Sequence, residues 1–422
     1  MCAIVPENGG ALRRVAVTGL GVVSPLGIGA ATFFSGLVQG HSGVTRLPDE
    51  VHPRLQCRVV APVAFDGLAH FGPARLRMLD RVSQFALVAA GEAIGDAGAL
   101  FETGDRETTG VFVGTGMGGA QTTDEGYKSF YAEHSDRVKP FSVLLAMNNA
   151  AAAWIAIDHQ LLGPNLTYSS ACSSSAVAIG EAWKRIASGE LDVAIAGGSE
   201  APLTFGTLKA WEALKTMATE DPYDASASCK PFARDRSGLV LGEGAAMVVL
   251  ESWDRATKRV ARIHAELTGY GLSTDAEHIT RPSVEGQALA MERALGSAHV
   301  APAQVGYVNA HGTATLANDG VETAAIKRVF GAEARRLPVS STKSMHGHLL
   351  GAAGALEFAA TVLAIENRVI PPTRHLVNPD PECDLDYVAE TARPAATLTT
   401  AMSNSFAFGG TNVSLLCRAI SL

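Results

Sequence analysis

Residues 165–180 read NLTYSSACSSSAVAIG. The stretch changes character in its middle. A β-rich run ends at Ser169 and Ser170, and the small residues Ala171 and Ser173 to Ser175 flank Cys172. A helical pattern then begins, with Val177, Ile179, Ala182 and Trp183 among its apolar positions. The reading is strand, tight turn, helix, with Cys172 close to a helix N-terminus. Helix N–H groups and the macrodipole favour negative charge there, an environment that lowers a thiol pKa. The competing reading is a buried structural cysteine among small packing residues, because most buried cysteines are inert. This segment alone leaves both open.

The same unit recurs on either side. Short apolar runs, each closed by glycine or another small residue, stand at 13–21 (RRVAVTGLG), 110–119, 193–200 (VAIAGGSE), 246–251 (AMVVLE) and 305–313 (VGYVNAHGT). Helical patterns lie between them, at 81–97, 176–188, 284–295 and 321–330. Strands alternating with helices predict an α/β fold. The runs are apolar throughout, so the sheets should be covered on both faces. A chain of 422 residues exceeds what one core usually serves, which predicts two domains or two closely packed halves. The charged helical segment ESWDRATKRVA gives way to a new strand, IHAELTGYG, near residue 258. The division expected is therefore 1–258 and 259–422. No repeat of fixed 20–50-residue period is visible, which argues against a solenoid.

Composition narrows the class. The chain is 47% hydrophobic and 18% charged, as globular proteins are, and its net charge of -8 argues against general nucleic-acid binding. Its six cysteines, at 2, 57, 172, 229, 383 and 417, have neither metal-ligand spacing nor the density of a disulfide framework. Residues 1–14 show no cationic segment followed by an apolar run, so no signal peptide is expected. The apolar stretch 15–34 is interrupted by Gly19, Gly21, Pro25, Gly27 and Gly29, and reads as strand, turn and helix start, not as a membrane span. A cytoplasmic enzyme is the default expectation.

Two further segments carry chemistry. Residues 308–315 (VNAHGTAT) put His311 where a strand ends and a glycine-containing loop begins, and residues 340–354 (SSTKSMHGHLLGAAG) cluster Lys343, His346 and His348 before a small-residue helix that carries Glu357. Each histidine by itself reads as an ordinary polar residue. A metal held by His311, His346 and His348 is disfavoured, since no acidic ligand stands at motif-like spacing. With a thiol the set makes sense. A thioester carbanion needs hydrogen-bond donors at its enolate oxygen, and two neutral imidazoles supply them as an oxyanion hole does. Residues 403–412 (SNSFAFGGTN) set Phe406 and Phe408 among small and polar neighbours, with Gly409 and Gly410 free to take unusual backbone geometry. They read as a mobile gate or as a plain turn with two core phenylalanines.

Together these segments resemble the elongation-type β-ketoacyl-[acyl-carrier-protein] synthases: Cys172 in SSACSSSA, His311 in VNAHGTAT, Lys343 and His348 in SSTKSMHGHLLGAAGA, and NSFAFGGTN, in that order. Four more stretches are similar to the same family: RRVAVTGLGVVSPLG, VAIAGGSEA, GLVLGEGAAMVVLE and NPDPECDLDYV. The resemblance implies a thiolase fold of two similar α/β halves in five α-β-α-β-α layers. It implies acyl loading on Cys172, decarboxylation of a malonyl thioester assisted by His311 and His348, and support from Lys343 and Glu357. It further implies a Phe408 gate beside Phe406, an oxyanion site at the Cys172 and Phe408 amides, and Thr313 and Thr315 against the phosphopantetheine arm. No metal or organic cofactor is expected. The expected partner is acyl carrier protein, with a homodimer or a heterodimer with a chain-length factor as the assembly. The family usually has glycine where Ala407 stands, and threonine is common where His346 stands.

Met117, Ser142 and Trp211 are the candidates for the acyl pocket. Arg75, Arg77 and Arg81 are the candidates for carrier docking, against the plainer reading of a solvated charged face. The alternatives to a condensing enzyme are a partner subunit that shapes a heterodimer's tunnel and a cysteine hydrolase with one histidine base. The second histidine motif and the phenylalanine gate have no use in such a hydrolase.

Overall fold

Val15–Ser24 is apolar at nearly every position and buried at all of them, so it can only be the middle of a covered sheet. In the computed structural model, which describes residues 12–48, 53–98, 101 and 105–420, it is that. The main strands of the first half run outward from it in the order Val15–Ser24, Gly244–Ser252, Val193–Glu200, Thr109–Gly114, Asn165–Tyr168. The second half runs Ala265–Thr274, Thr411–Arg418, Thr400–Phe406, Tyr307–Asn309, Val339–Ser340. Counted in chain order, both halves read 1-5-4-2-3. In both, strands 1, 5 and 4 pair antiparallel and strands 4, 2 and 3 pair parallel. The sheets touch where Val15–Val17 pairs antiparallel with Ala265–Leu267.

The likeness extends to defects. Each first strand has a register shift near its start, between Val17 and Gly19 and between Leu267 and Gly269. Each presses a helix onto the next glycine. A Cβ on Gly21 would stand 1.9 Å from the Ala89 oxygen of helix Arg81–Ala97, and a Cβ on Gly271 would stand 1.9 Å from the Ala290 oxygen of helix Val284–Ala298. Only glycine allows an approach that close.

Helices Ser174–Ser188 and Ala353–Asn367 pack on each other and on strands of both sheets, forming the middle layer. Helices Arg81–Ala97 and Ala150–His159 cover the outer face of the first sheet, and Val284–Ala298, with Asn318–Phe330 beside it, covers that of the second. The result is the five-layered arrangement that the resemblance implied. Among the described residues one stretch, 350–367, is long and apolar enough to cross a membrane, but 89% of it is buried in this middle layer. The helices expected at 176–188 and 284–295 are present with slightly wider bounds, whereas the strand expected over 305–313 is only Tyr307–Asn309.

Candidate active site

The expected strand–turn–helix unit is present. Asn165–Tyr168 ends, a 3₁₀ turn covers Ala171–Ser173, and helix Ser174–Ser188 follows. Ala171 takes φ +49°, a conformation that costs energy outside glycine and marks a tight turn around a presented side chain. The helix sits deep because strand glycines make way for it: a Cβ on Gly114 would lie 2.2 Å from the Ser175 nitrogen.

The second half brings its groups to the same point. One atom each of Cys172, His311 and His348 lie within 4.8 Å of one another, and all three residues are buried. The imidazoles meet edge to face, centroids 5.3 Å apart. Lys343 Nζ is 3.5 Å from His311 Nδ1 and forms a fully buried ion pair with Glu357. The His311 and Gly312 N–H groups donate to Glu322 at 2.8 Å each, which fixes the loop after Tyr307–Asn309. Gly347, at φ +68°, turns the chain between His346 and His348. His346 is pinned through Nε2 to the Thr342 hydroxyl at 3.0 Å and through Nδ1 to the Gly347 carbonyl at 2.8 Å, and does not line the cleft. By contrast, among the described residues both ring nitrogens of His348 are buried without a hydrogen-bond partner.

Burial sets the protonation states. It pushes the Cys172 thiol up to about 12, against the opposing pull of Lys343 and the Phe408 N–H. The helix terminus expected to lower the thiol pKa is in place, and burial of the sulfur opposes it. Burial, then Lys343, drives His311 and His348 well below the usual imidazole range. Burial likewise lowers His346 to about 3. Burial thus favours the neutral forms of the thiol and of the imidazoles.

The three close donors have the spacing of a metal site, but the chemistry fits poorly. Lys343 stands next to His311, and His348 lacks the carboxylate or carbonyl partner that orients a metal-bound imidazole.

The Phe408 N–H reaches the Cys172 sulfur, and Phe406 packs edge-on to His311 at 6.0 Å. Thr313 and Thr315 line the cleft, their hydroxyls 2.8 Å apart. Of the acyl-pocket candidates, Trp211 lines the cleft and stacks on Phe408, with centroids 5.9 Å apart and planes 18° from parallel. Met117 and Ser142 do not line the closed cleft of the single chain. Met117 is 42% exposed, and Ser142 sits among the exposed Phe141, Val143 and Leu144. Of the docking candidates, Arg77 is exposed without a partner among the described residues. Arg75 is paired to Asp158, and Arg81 gives a two-pronged ion pair to Glu243.

One residue was not singled out from sequence. Glu200, at the end of Val193–Glu200, accepts from the N–H groups of Gly116 at 2.6 Å, Met117 at 2.9 Å and Gly351 at 2.9 Å. It thereby ties a loop of the first half to the start of the middle helix of the second. Burial raises its carboxyl to about 7 against these hydrogen bonds. Its only sequence signal is an acidic residue closing an otherwise apolar strand.

Family comparison matches residues 12–256 to the beta-ketoacyl synthase N-terminal domain and 264–377 to the beta-ketoacyl synthase C-terminal domain. The chain is 42% identical to nodulation protein E of Rhizobium meliloti over 97% of its own length and 100% of that protein's. It is 39% identical to 3-oxoacyl-[acyl-carrier-protein] synthase 2 of Staphylococcus aureus over 96% of this chain and 98% of that one. Among solved structures, the ishigamide ketosynthase/chain length factor superposes with a TM-score of 0.90 at 33% identity, covering 97% of this chain and 100% of the other.

Proposed function

The chain belongs to the β-ketoacyl synthase family, and on that premise we propose how its own residues divide the reaction. The protein is an acyltransferase that forms carbon–carbon bonds in fatty-acid or polyketide elongation, with acyl carrier protein as its partner. The observation that carries the assignment of roles is His348. Among the described residues its two buried ring nitrogens have no protein partner, and one of them lies within 4.8 Å of a thiol and a second imidazole. Unpartnered buried nitrogens cost free energy unless something else satisfies them. A thioester carbonyl turning into an enolate is such a group.

In this reading Cys172 first attacks a carrier-bound acyl thioester. The carrier thiol leaves with the proton, and the Cys172 and Phe408 N–H groups hold the oxyanion. A malonyl thioester then enters along Thr313 and Thr315. Its carboxylate leaves as CO2 while His311 and His348 hold the enolate oxygen. The carbanion attacks the acyl carbonyl, the bond to Cys172 sulfur breaks, and a β-ketoacyl thioester two carbons longer departs on the carrier. Lys343 helps keep the imidazoles neutral, and Glu357 holds Lys343 in place through their ion pair. The substrates arrive on phosphopantetheine, and no separate cofactor takes part.

The domains are 1–258, carrying the nucleophile, and 259–422, carrying His311, Lys343, His348 and the gate. The enzyme works in the cytoplasm as a homodimer. A heterodimer with a chain-length factor is the second reading, favoured by the ketosynthase/chain length factor neighbour and by the exposed apolar residues Phe141, Val143 and Leu144. Intact-mass measurement with a panel of acyl carriers, on wild type and Cys172→Ala, tests the whole. An adduct on wild type alone, followed by extension with malonyl carrier, is expected. No adduct with any acyl group, on protein shown to be homodimeric, refutes it.

A further inference from the structure

The space beside the Cys172 thiol is small. The cleft holds about 50 Å3, near that of one or two water molecules. An acyl chain on the sulfur therefore needs a wall to move, and the walls differ in how they are held. Trp211 lies on helix Phe205–Ala213, which is anchored. Leu208 of that helix is fully buried, and Glu212 accepts from the Gln56 and Cys57 N–H groups at 2.6 and 3.1 Å. Phe408 lies in a short turn whose ends are tied by Ala407 N–H to the Thr411 carbonyl at 3.0 Å, and whose glycine tip is held only by backbone bonds to a neighbouring loop, Gly409 N–H to the Ile279 carbonyl at 2.8 Å and Asp275 N–H to the Gly410 carbonyl at 2.9 Å. Gly409, at φ +85°, has open space where a Cβ would be, and Gly410 has φ +79°. The ring able to move is Phe408, and the surface it would leave is the indole of Trp211. Ala407 packs against the same apolar group as Trp211 and Cys172, so the closed turn is seated on both sides.

We propose that Trp211 is a positioning residue that latches Phe408 over the Cys172 thiol, so that exposure of the nucleophile includes breaking this aromatic stack. The inference rests on Phe408 acting as the gate of the proposed reaction. Trp211 takes no part in the chemistry. Its effect is to set how often the thiol is uncovered.

The test reads the thiol directly. Full-length protein is treated with iodoacetamide, and carbamidomethylation is timed on the peptide carrying Cys172, with Cys229 and Cys417 peptides as internal controls. An aromatic stack is worth about a 3- to 10-fold shift in the closed–open equilibrium. Trp211→Ala is expected to raise the Cys172 rate by that factor, with the control peptides unchanged and Trp211→Phe close to wild type. Because Trp211→Ala also opens space, the deciding arm is a double-mutant cycle. In a Phe408→Ala background, where the latch has nothing to hold, adding Trp211→Ala should change the rate less than 2-fold. If Trp211→Ala does not fold, Trp211→Leu, which keeps apolar volume but no ring, replaces it with the same expectation. Equal acceleration in both backgrounds, no acceleration, or Trp211→Phe as fast as Trp211→Ala each overturns the latch. The probe needs no carrier, so a failed condensation assay and a failed latch are separate results.

Discussion

The two halves share one strand order, 1-5-4-2-3, yet they bring different chemistry to the cleft. In the first half the third strand is followed by Cys172 and a middle-layer helix. In the second half the third strand is followed by Lys343, His348 and the other middle-layer helix. The turn after the second strand carries His311 in one half and Thr115, Gly116 and Met117 in the other. The fourth strand ends in Glu200 in the first half and Phe406 in the second. The scaffold is duplicated, and function lies in what each half places at equivalent loops.

The comparison can be broken where its effect is greatest, at the histidines. His311→Ala and His348→Ala should each lower condensation by about 100- to 1,000-fold, the usual cost of an oxyanion donor, while acyl loading of Cys172 persists. Loss of loading to the same degree, measured by intact mass, would mean that the halves do not divide the work.

The structural likeness predicts paired stability effects. Gly21→Ala and Gly271→Ala meet a backbone oxygen at the same 1.9 Å, and each should destabilise by about 3 kcal/mol in denaturant unfolding. Gly91→Ala, where the Cβ meets nothing within 4 Å on an exposed helix face, should be stabilising by up to about 1 kcal/mol. A large difference between Gly21 and Gly271 would show that the two halves are not mechanically equivalent.

His264 joins the halves. It bonds Asp96 of the first half at 2.7 Å and Glu366 of the second at 2.9 Å, with Arg262 paired to Glu366 beside it. Burial pulls its pKa down, but the two carboxylates outweigh this and raise it to about 8. A raised histidine stabilises fully below its unfolded value near 6.5, and that gain is lost as pH climbs through 8. Stability should fall by about 2 kcal/mol across that window in wild type and stay flat in His264→Asn. The smallest effect belongs to Arg77, the docking candidate left free of partners: Arg77→Glu should lower turnover with carrier-bound substrate several-fold at low salt and little at high salt.

Much of the site is legible in the sequence because its groups lie in short contiguous motifs. Cys172, Lys343 and His348 each sit in the turn between a strand and a middle-layer helix, and a local pattern reports such turns. The layering follows for the same reason, from strands apolar on both faces. Glu200 is not legible, because its partners come from two segments far apart in sequence, 115–117 and Gly351, and only the fold joins them. The burial that opposes the helix terminus at Cys172 is also not legible, because a helix terminus is a local feature, whereas desolvation comes from the whole cleft. The duplication itself is hidden, since the halves share backbone constraints at Gly21 and Gly271 more than side chains.

The division of labour is tested most directly by measuring CO2 release from malonyl carrier protein by Cys172→Ala and by His348→Ala, alongside acyl loading of each. The expected result is a crossed pattern. Cys172→Ala takes no acyl group yet still releases CO2, and His348→Ala takes the acyl group yet releases almost none. If either substitution abolishes both activities in a folded protein, the two halves do not act as a thiol donor and an enolate holder, and the account fails.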